Sequence, residues 1–166
     1  MRNANVKNTQ TKWYIKFRNC LEICEVKTMK RYIIIASHSN MAVGLKDTVN
    51  FVSGGMDNIT AIAAYVDNKP IDDTIQEAVS VVADEDELII LTDMTGGSVN
   101  QKFFQFRSRP HTHIVSGMNL PLAFGLAMEP ADDYMTADQV RMIVENAKQE
   151  IKYINDISLD GDDEDE

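Results

Sequence analysis

The period of apolar and polar positions switches repeatedly along the chain, and the switches predict alternating strands and helices. YIIIA (32–36) is a short continuous apolar run rich in β-branched residues, the pattern of a strand buried on both faces. Met41, Leu45, Val49 and Val52 then fall on one helical face, and Gly54-Gly55 ends that segment. ITAIAAYV (59–66) predicts a second strand, Asp67-Asn68-Lys69-Pro70 a turn, and Ile71, Ile75, Ala78 and Val82 a second helix. ELIILTD (87–93) predicts a third strand, apolar up to its last two residues. Gly96-Gly97-Ser98 opens a third helix with Val99, Phe103 and Phe106 inward, and THIVSGM (112–118) is a fourth strand.

NLPLAFGLAME (119–129) predicts an apolar helix with Pro121 near its start. Thr136 and Gln139 have capping-box spacing, and the helix they begin carries Val140, Ile143, Val144, Ala147, Ile151 and Ile154 on one stripe. Strands alternating with helices of this length predict an α/β fold: a doubly wound open sheet, mainly parallel, with helices on both faces. The expected strand order is 2-1-3-4.

In such sheets ligands bind beyond the carboxyl ends of the strands, where the strand order reverses. Strand 1 ends in Ser37-His38-Ser39 and strand 3 in the stretch from Thr92-Asp93 to Gly96-Gly97-Ser98. The predicted topology therefore sets His38 and Asp93 on adjacent loops at one edge. A neutral imidazole there is a nucleophile, and a carboxylate on its other ring nitrogen would fix the tautomer. Gly96 and Gly97 would let backbone amides face a phosphoryl group, with Ser98 and Ser39 adding hydroxyl donors. Taken singly, a histidine after a strand and an aspartate near Gly-Gly read as ordinary turn chemistry. Their joint placement leaves two readings side by side, loop residues or a phosphoryl-carrying nucleophile.

Composition narrows the partners. The chain has 166 residues, 44% apolar and 25% charged, enough for one ordinary globular domain. The formal charge of −10 is uneven: residues 1–30 carry a net +5, and the other 136 carry −15. A body so acidic repels phosphate backbones and argues against nucleic-acid binding. Residues 1–28 are basic and without clean period, and read as a disordered leader or appended segment, with a basic tether to an acidic surface as the alternative. The domain is expected over 29–157, and 158–166 as a disordered acidic tail.

Cys20 and Cys24 match neither a redox nor a zinc spacing and fit a reducing cytoplasm. Apolar runs are too short to span a bilayer, and Lys16 and Arg18 interrupt any signal-peptide core. The expected location is cytoplasmic. His111 and His113 read as loop and strand-start residues and not as metal ligands, and Phe103, Phe104 and Phe106 as core and helix surface. Arg107 and Arg109 form the cationic cluster of the body, either a solvated helix end or a dock for an acidic partner. Neither GxxxxGK[ST] nor a GxGxxG after strand 1 is present, so no nucleotide cofactor is expected, and no metal.

Three segments, IIIASHSNMAVGL, ELIILTDMTGGSVN and IVSGMNLPLAFGLAM, carry a resemblance that covers about residues 29–157. The chain resembles the mannose-family enzyme IIA component of the bacterial sugar phosphotransferase system. That family has a His-containing turn after a strand, an LTD-x-x-GGS turn and a G-x-NLP stretch, in this order. The resemblance implies that His38 accepts a phosphoryl group from the phosphocarrier protein HPr and passes it to a IIB partner for sugar uptake. It implies that Asp93 orients His38, that Ser98 contacts the phosphoryl group, and that a homodimer forms through residues near 117–130. Contact with the membrane would be indirect, through the transporter. Ser39, where the family commonly has Gly, and Val99-Asn100, where Pro-Phe is frequent, are departures that touch the shape of the phosphate pocket. The other readings are the phosphoryl-donor subunit of a dihydroxyacetone kinase and a non-catalytic regulatory module of the same fold.

Overall fold

The computed structural model describes residues 29–67 and 70–157. The leader over 1–28, the tail over 158–166, and Asn68 and Lys69 of the predicted turn lie outside the described residues. The order of elements is β1 (Arg31–His38), α1 (Met41–Ser53), β2 (Ile59–Ala64), α2 (Ile71–Ser80), β3 (Glu87–Thr92), α3 (Ser98–Phe103), β4 (Thr112–Ser116), α4 (Leu120–Met128) and α5 (Ala137–Gln149). Short 3-10 turns occupy Phe104–Ser108 and Ile154–Asp156. The four strands are all parallel and lie in the order β2-β1-β3-β4, as the alternating pattern predicts.

Alternation along the central strands sorts side chains between two cores. Ile33 and Ile35 of β1 and Ile89 and Leu91 of β3 face one side, where α1, α4 and α5 contribute Val49, Leu122, Leu126 and Ile143. Ile34, Ala36, Leu88 and Ile90 face the other, against Ile75 of α2 and Val99 and Phe103 of α3. β1 and β3 are therefore apolar almost throughout because both of their faces are covered.

Element ends follow local backbone geometry. Two strands stop short of their apolar runs where φ turns positive, β2 at Tyr65 (φ 65°) and β4 at Gly117 (φ 85°). Gly54, left-handed at φ 85°, ends α1 as expected. The stripe of α1 is rotated from the predicted one: Ala42 and Val49 are buried and Leu45 is packed against them, whereas Met41 and Val52 are exposed. Thr136 and Gln139 make the full capping box that starts α5. That helix stops at Gln149, so Ile151 and Ile154 do not extend its stripe and stand exposed.

At the amino ends of the strands lies a buried polar network that apolar patterning did not reveal. Arg31 opens β1, Glu87 opens β3, the two are in register, and their side chains form a buried ion pair. Arg31 also donates to the carbonyls of Glu129 (2.6 Å), Pro130 (3.0 Å) and Asp133 (3.2 Å), and Glu87 accepts the Met135 amide at 2.6 Å. The segment joining α4 to α5 is thereby tied to the base of the sheet. His113 of β4 joins it through Nε2 and the Met135 carbonyl, 3.0 Å apart. His111 lies just before β4 and stacks on Tyr134, with ring centroids 3.6 Å apart. Arg109 is no free cation either: it is half-buried and donates to the carbonyls of Val82 (3.1 Å) and Asp86 (3.3 Å). Arg107 lies over the Phe104 ring at 4.7 Å.

Candidate functional site

β1 and β3 are neighbours in the sheet, with Ala36 opposite Thr92. The register brings their carboxyl ends out together, so His38, the last residue of β1, meets Asp93, the first residue after β3. Asp93 Oδ2 accepts the backbone N–H of His38 at 2.8 Å and lies 2.7 Å from its Nδ1. Asp93 Oδ1 accepts the Met94 amide at 2.8 Å. Partial burial pushes the Asp93 carboxyl up, but the His38 amide, the His38 ring and the Met94 amide outweigh it and hold the group below its ordinary value. An ionised carboxylate only accepts, so Nδ1 carries the ring hydrogen and Nε2 presents its lone pair.

Nε2 faces the Ser98 hydroxyl at 3.0 Å, and that oxygen in turn accepts the Tyr65 hydroxyl at 2.9 Å. Since Nε2 is an acceptor here, Ser98 donates to it. The His38 side chain is 37% exposed, open enough for a second macromolecule to reach it. Met41, Val66 and Met94, exposed apolar residues at the starts of α1 and of the loops after β2 and β3, lie on the same edge of the sheet.

The turns that present these groups are internally braced. Ser39 takes φ 52°, a left-handed conformation, and its amide donates to the Ala64 carbonyl at 2.9 Å. Buried Ser37 accepts the Ala42 amide at 2.7 Å and donates to the Ser39 carbonyl at 3.2 Å, clamping the turn onto the start of α1. Beyond Asp93, Gly96 has φ 73° and its amide donates to Asn100 Oδ1 at 3.1 Å, while the Gly97 amide donates to the Met94 carbonyl at 3.1 Å. Both amides are bonded within the turn that opens α3.

The glycines serve the site through shape. A Cβ on Gly97 would be crowded by the Met94 carbonyl at 3.2 Å and would lie in ordinary contact with His38 Cε1 at 3.4 Å, so the lack of a side chain there eases the turn beside the imidazole. Asn100, one of the departures from the family pattern, is buried and links Gly96 to the Thr92 hydroxyl, which its Nδ2 reaches at 3.0 Å. Thr92 also anchors the G-x-NLP stretch: its carbonyl accepts the amides of Gly117 at 3.0 Å and Met118 at 3.1 Å. Asn119 then caps α4 by accepting the Leu122 amide at 2.9 Å.

His38, Asp93 and Ser98 thus come together as expected, and Ser39 lies beside them. Tyr65 and Ser37 were not singled out from the sequence as site residues, and Asn100 only as a departure from the family pattern. Tyr65 alone had a usable signal there: it lies next to last in the strand predicted beside strand 1, near the same edge. Among the described residues no group of three or more His, Cys, Asp or Glu side chains could hold a metal ion, and no helix is long and apolar enough to cross a membrane.

Comparison with known proteins agrees with the fold. A candidate permease of a phosphoenolpyruvate-dependent sugar phosphotransferase system from Klebsiella pneumoniae is 37% identical, with a TM-score of 0.72 over 78% of this chain and 95% of its own. A IIA protein of the phosphotransferase system associated with the fucose utilization operon of Streptococcus pneumoniae is 27% identical, with a TM-score of 0.66 over 77% of this chain and 96% of its own. The mannose/sorbose-specific IIA subunit from Enterococcus faecalis shares the fold at 18% identity, with a TM-score of 0.64 over 79% of this chain and 99% of its own. No curated protein matches. The EIIA-man model, described as the fructose IIA component of the phosphotransferase system, matches residues 32–152, most of the chain, and the protein belongs to that family.

Proposed function

We propose that the protein is a phosphoryl carrier of a sugar phosphotransferase system, loaded on His38 Nε2 by phospho-HPr and unloaded onto a histidine of a IIB partner. The observation that carries this reading is the double hold on the imidazole: Asp93 on Nδ1–H at 2.7 Å and Ser98 on Nε2 at 3.0 Å. The Nε2 lone pair attacks phosphorus, the donor's N–P bond breaks, and its electron pair returns to the donor imidazole. Nδ1 keeps its hydrogen throughout, and the positive charge that forms on the ring is balanced by Asp93. The reverse sequence delivers the phosphoryl group to the IIB histidine.

Ser98 supports the phosphoryl oxygens by turning its hydroxyl hydrogen away from Nε2 once that lone pair is bonded. Ser39, exposed beside His38, offers a second hydroxyl. Gly96 and Gly97 hold the phosphate pocket in shape. The exposed position of His38 and its apolar surroundings suit a protein partner better than a small substrate. A homodimer through residues 117–130 belongs to the same reading; the half-exposed edge strand β4 supports it, and sedimentation would test it.

The deciding experiment is phosphate incorporation from phosphoenolpyruvate with enzyme I and HPr, on wild type and on His38→Ala. Acid-labile, base-stable label on the wild type and none on the variant is the expected result. An unlabelled wild type would sink the carrier reading for that donor and leave a regulatory module of the same fold.

A further inference from the structure

Tyr65 stands out for its backbone. It follows β2 with φ 65°, a left-handed conformation unfavourable for a residue with a Cβ. Such a residue persists where its surroundings hold it, and packing does not explain this one, because Tyr65 is 58% exposed. What the conformation achieves is placement of the hydroxyl 2.9 Å from Ser98 Oγ, with the phenol ring 5.6 Å from the His38 ring and tilted 33° to it.

The Ser98 hydroxyl has one hydrogen and several directions in which to donate it. An incoming O–H from Tyr65 occupies one lone pair and leaves that hydrogen directed at Nε2. A hydroxyl that itself accepts a hydrogen bond is also a stronger donor, because successive bonds polarise one another. We propose that Tyr65 is a positioning residue for phosphoryl transfer, acting through Ser98: its O–H sets the direction and donor strength of the Ser98 hydroxyl, first toward Nε2 and then toward the phosphoryl oxygens. The proposal rests on the carrier reading for its kinetic consequences. Its hydrogen-bond chain, Tyr65 to Ser98 to His38, stands without it.

Tyr65→Phe removes the hydroxyl and keeps the ring and its backbone. In the unphosphorylated protein, the ¹⁵N shift of His38 Nε2 is expected to move in this variant, since the direction of the Ser98 hydrogen is released. Transfer from phospho-HPr at saturation is expected to fall about 5- to 10-fold with KM unchanged, the effect of one hydrogen bond stronger in the transition state than in the ground state.

A double-mutant cycle with Ser98→Ala then separates action through Ser98 from action alone. In the Ser98→Ala background, Tyr65→Phe should have no further effect. An equal loss in both backgrounds would overturn the proposal, as would a variant with wild-type kinetics and an unmoved Nε2 resonance. If wild type takes up no phosphate, the carrier reading fails separately, and the Nε2 shift decides between a working hydrogen-bond chain and none.

Discussion

Asp93 holds His38 by two bonds to one oxygen: Oδ2 takes the backbone N–H at 2.8 Å and the ring nitrogen Nδ1 at 2.7 Å. The first bond ties the carboxylate to the end of β1, and the second uses that fixed position to choose the tautomer. Asp93→Asn keeps the size of the group but introduces an amide that can donate to Nδ1. That contact favours the tautomer with its hydrogen on Nε2, which is no nucleophile. The expected outcome is a loss in phosphoryl-transfer rate on the order of 10³–10⁴-fold with the fold intact, by the precedent of carboxylate-held catalytic histidines. Rapid-quench labelling with phospho-HPr measures it, and ¹⁵N spectra of the imidazole report the tautomer. A variant labelled at wild-type rate would remove Asp93 from the mechanism.

The same contact has a pH signature. The folded carboxyl of Asp93 titrates below its ordinary value, which is about 3.9 in an unfolded chain. Its contribution to stability is therefore complete above that ordinary value and is lost as pH falls through the lower folded one. Urea unfolding of wild type and Asp93→Asn should show a stability gap that is constant near neutrality and narrows below about pH 4. A gap that widened in acid would mean that the carboxyl is raised in the folded protein.

Much of this architecture was legible because β1 and β3 are buried on both faces and so appear in the sequence as unbroken apolar runs. The strand order placed His38 beside Asp93 before any coordinates. What escaped reading was set by groups far apart in sequence. Tyr65 looked like the end of a strand because only the folded chain brings it to Ser98. Arg31 and Glu87 were not singled out, because their burial comes from the segment 129–135 folding over them. The partners of the Gly96 and Gly97 amides were not legible, because sequence shows which residues permit a turn, not which acceptors its N–H groups find.

Ser39 carries a strain that can be relieved. Its φ of 52° is a conformation that glycine adopts without penalty. Ser39→Gly should stabilise the protein by about 0.5–1 kcal/mol, the relief of strain being partly offset by the greater freedom of glycine in the unfolded chain. If the Ser39 hydroxyl also donates to the phosphoryl group, the transfer rate falls about 5-fold at the same time. Thermal unfolding and label uptake on the same preparation test both. A stabilised variant with unchanged transfer would limit Ser39 to a backbone role.

The buried pair at the far end of the sheet gives the opposite expectation, a large effect on stability with none on chemistry. Arg31 and His38 are the two ends of one strand, roughly 20 Å apart at the rise of an extended chain. Glu87→Ala would leave the Arg31 guanidinium, 3% exposed, facing backbone carbonyls without a counter-charge, and would strip the Met135 amide of its acceptor. Breaking one side of a buried pair costs about 3–5 kcal/mol. Glu87→Gln keeps an oxygen for the Met135 amide and should lose less. Denaturant unfolding of both variants measures the difference. Phosphorylation of the folded fraction, assayed well below the unfolding midpoint, should match wild type, because no atom of the pair touches the β1–β3 carboxyl edge. Transfer that fell in step with the Glu87→Ala destabilisation, at temperatures where the protein is fully folded, would instead mean that the base of the sheet controls the geometry of His38.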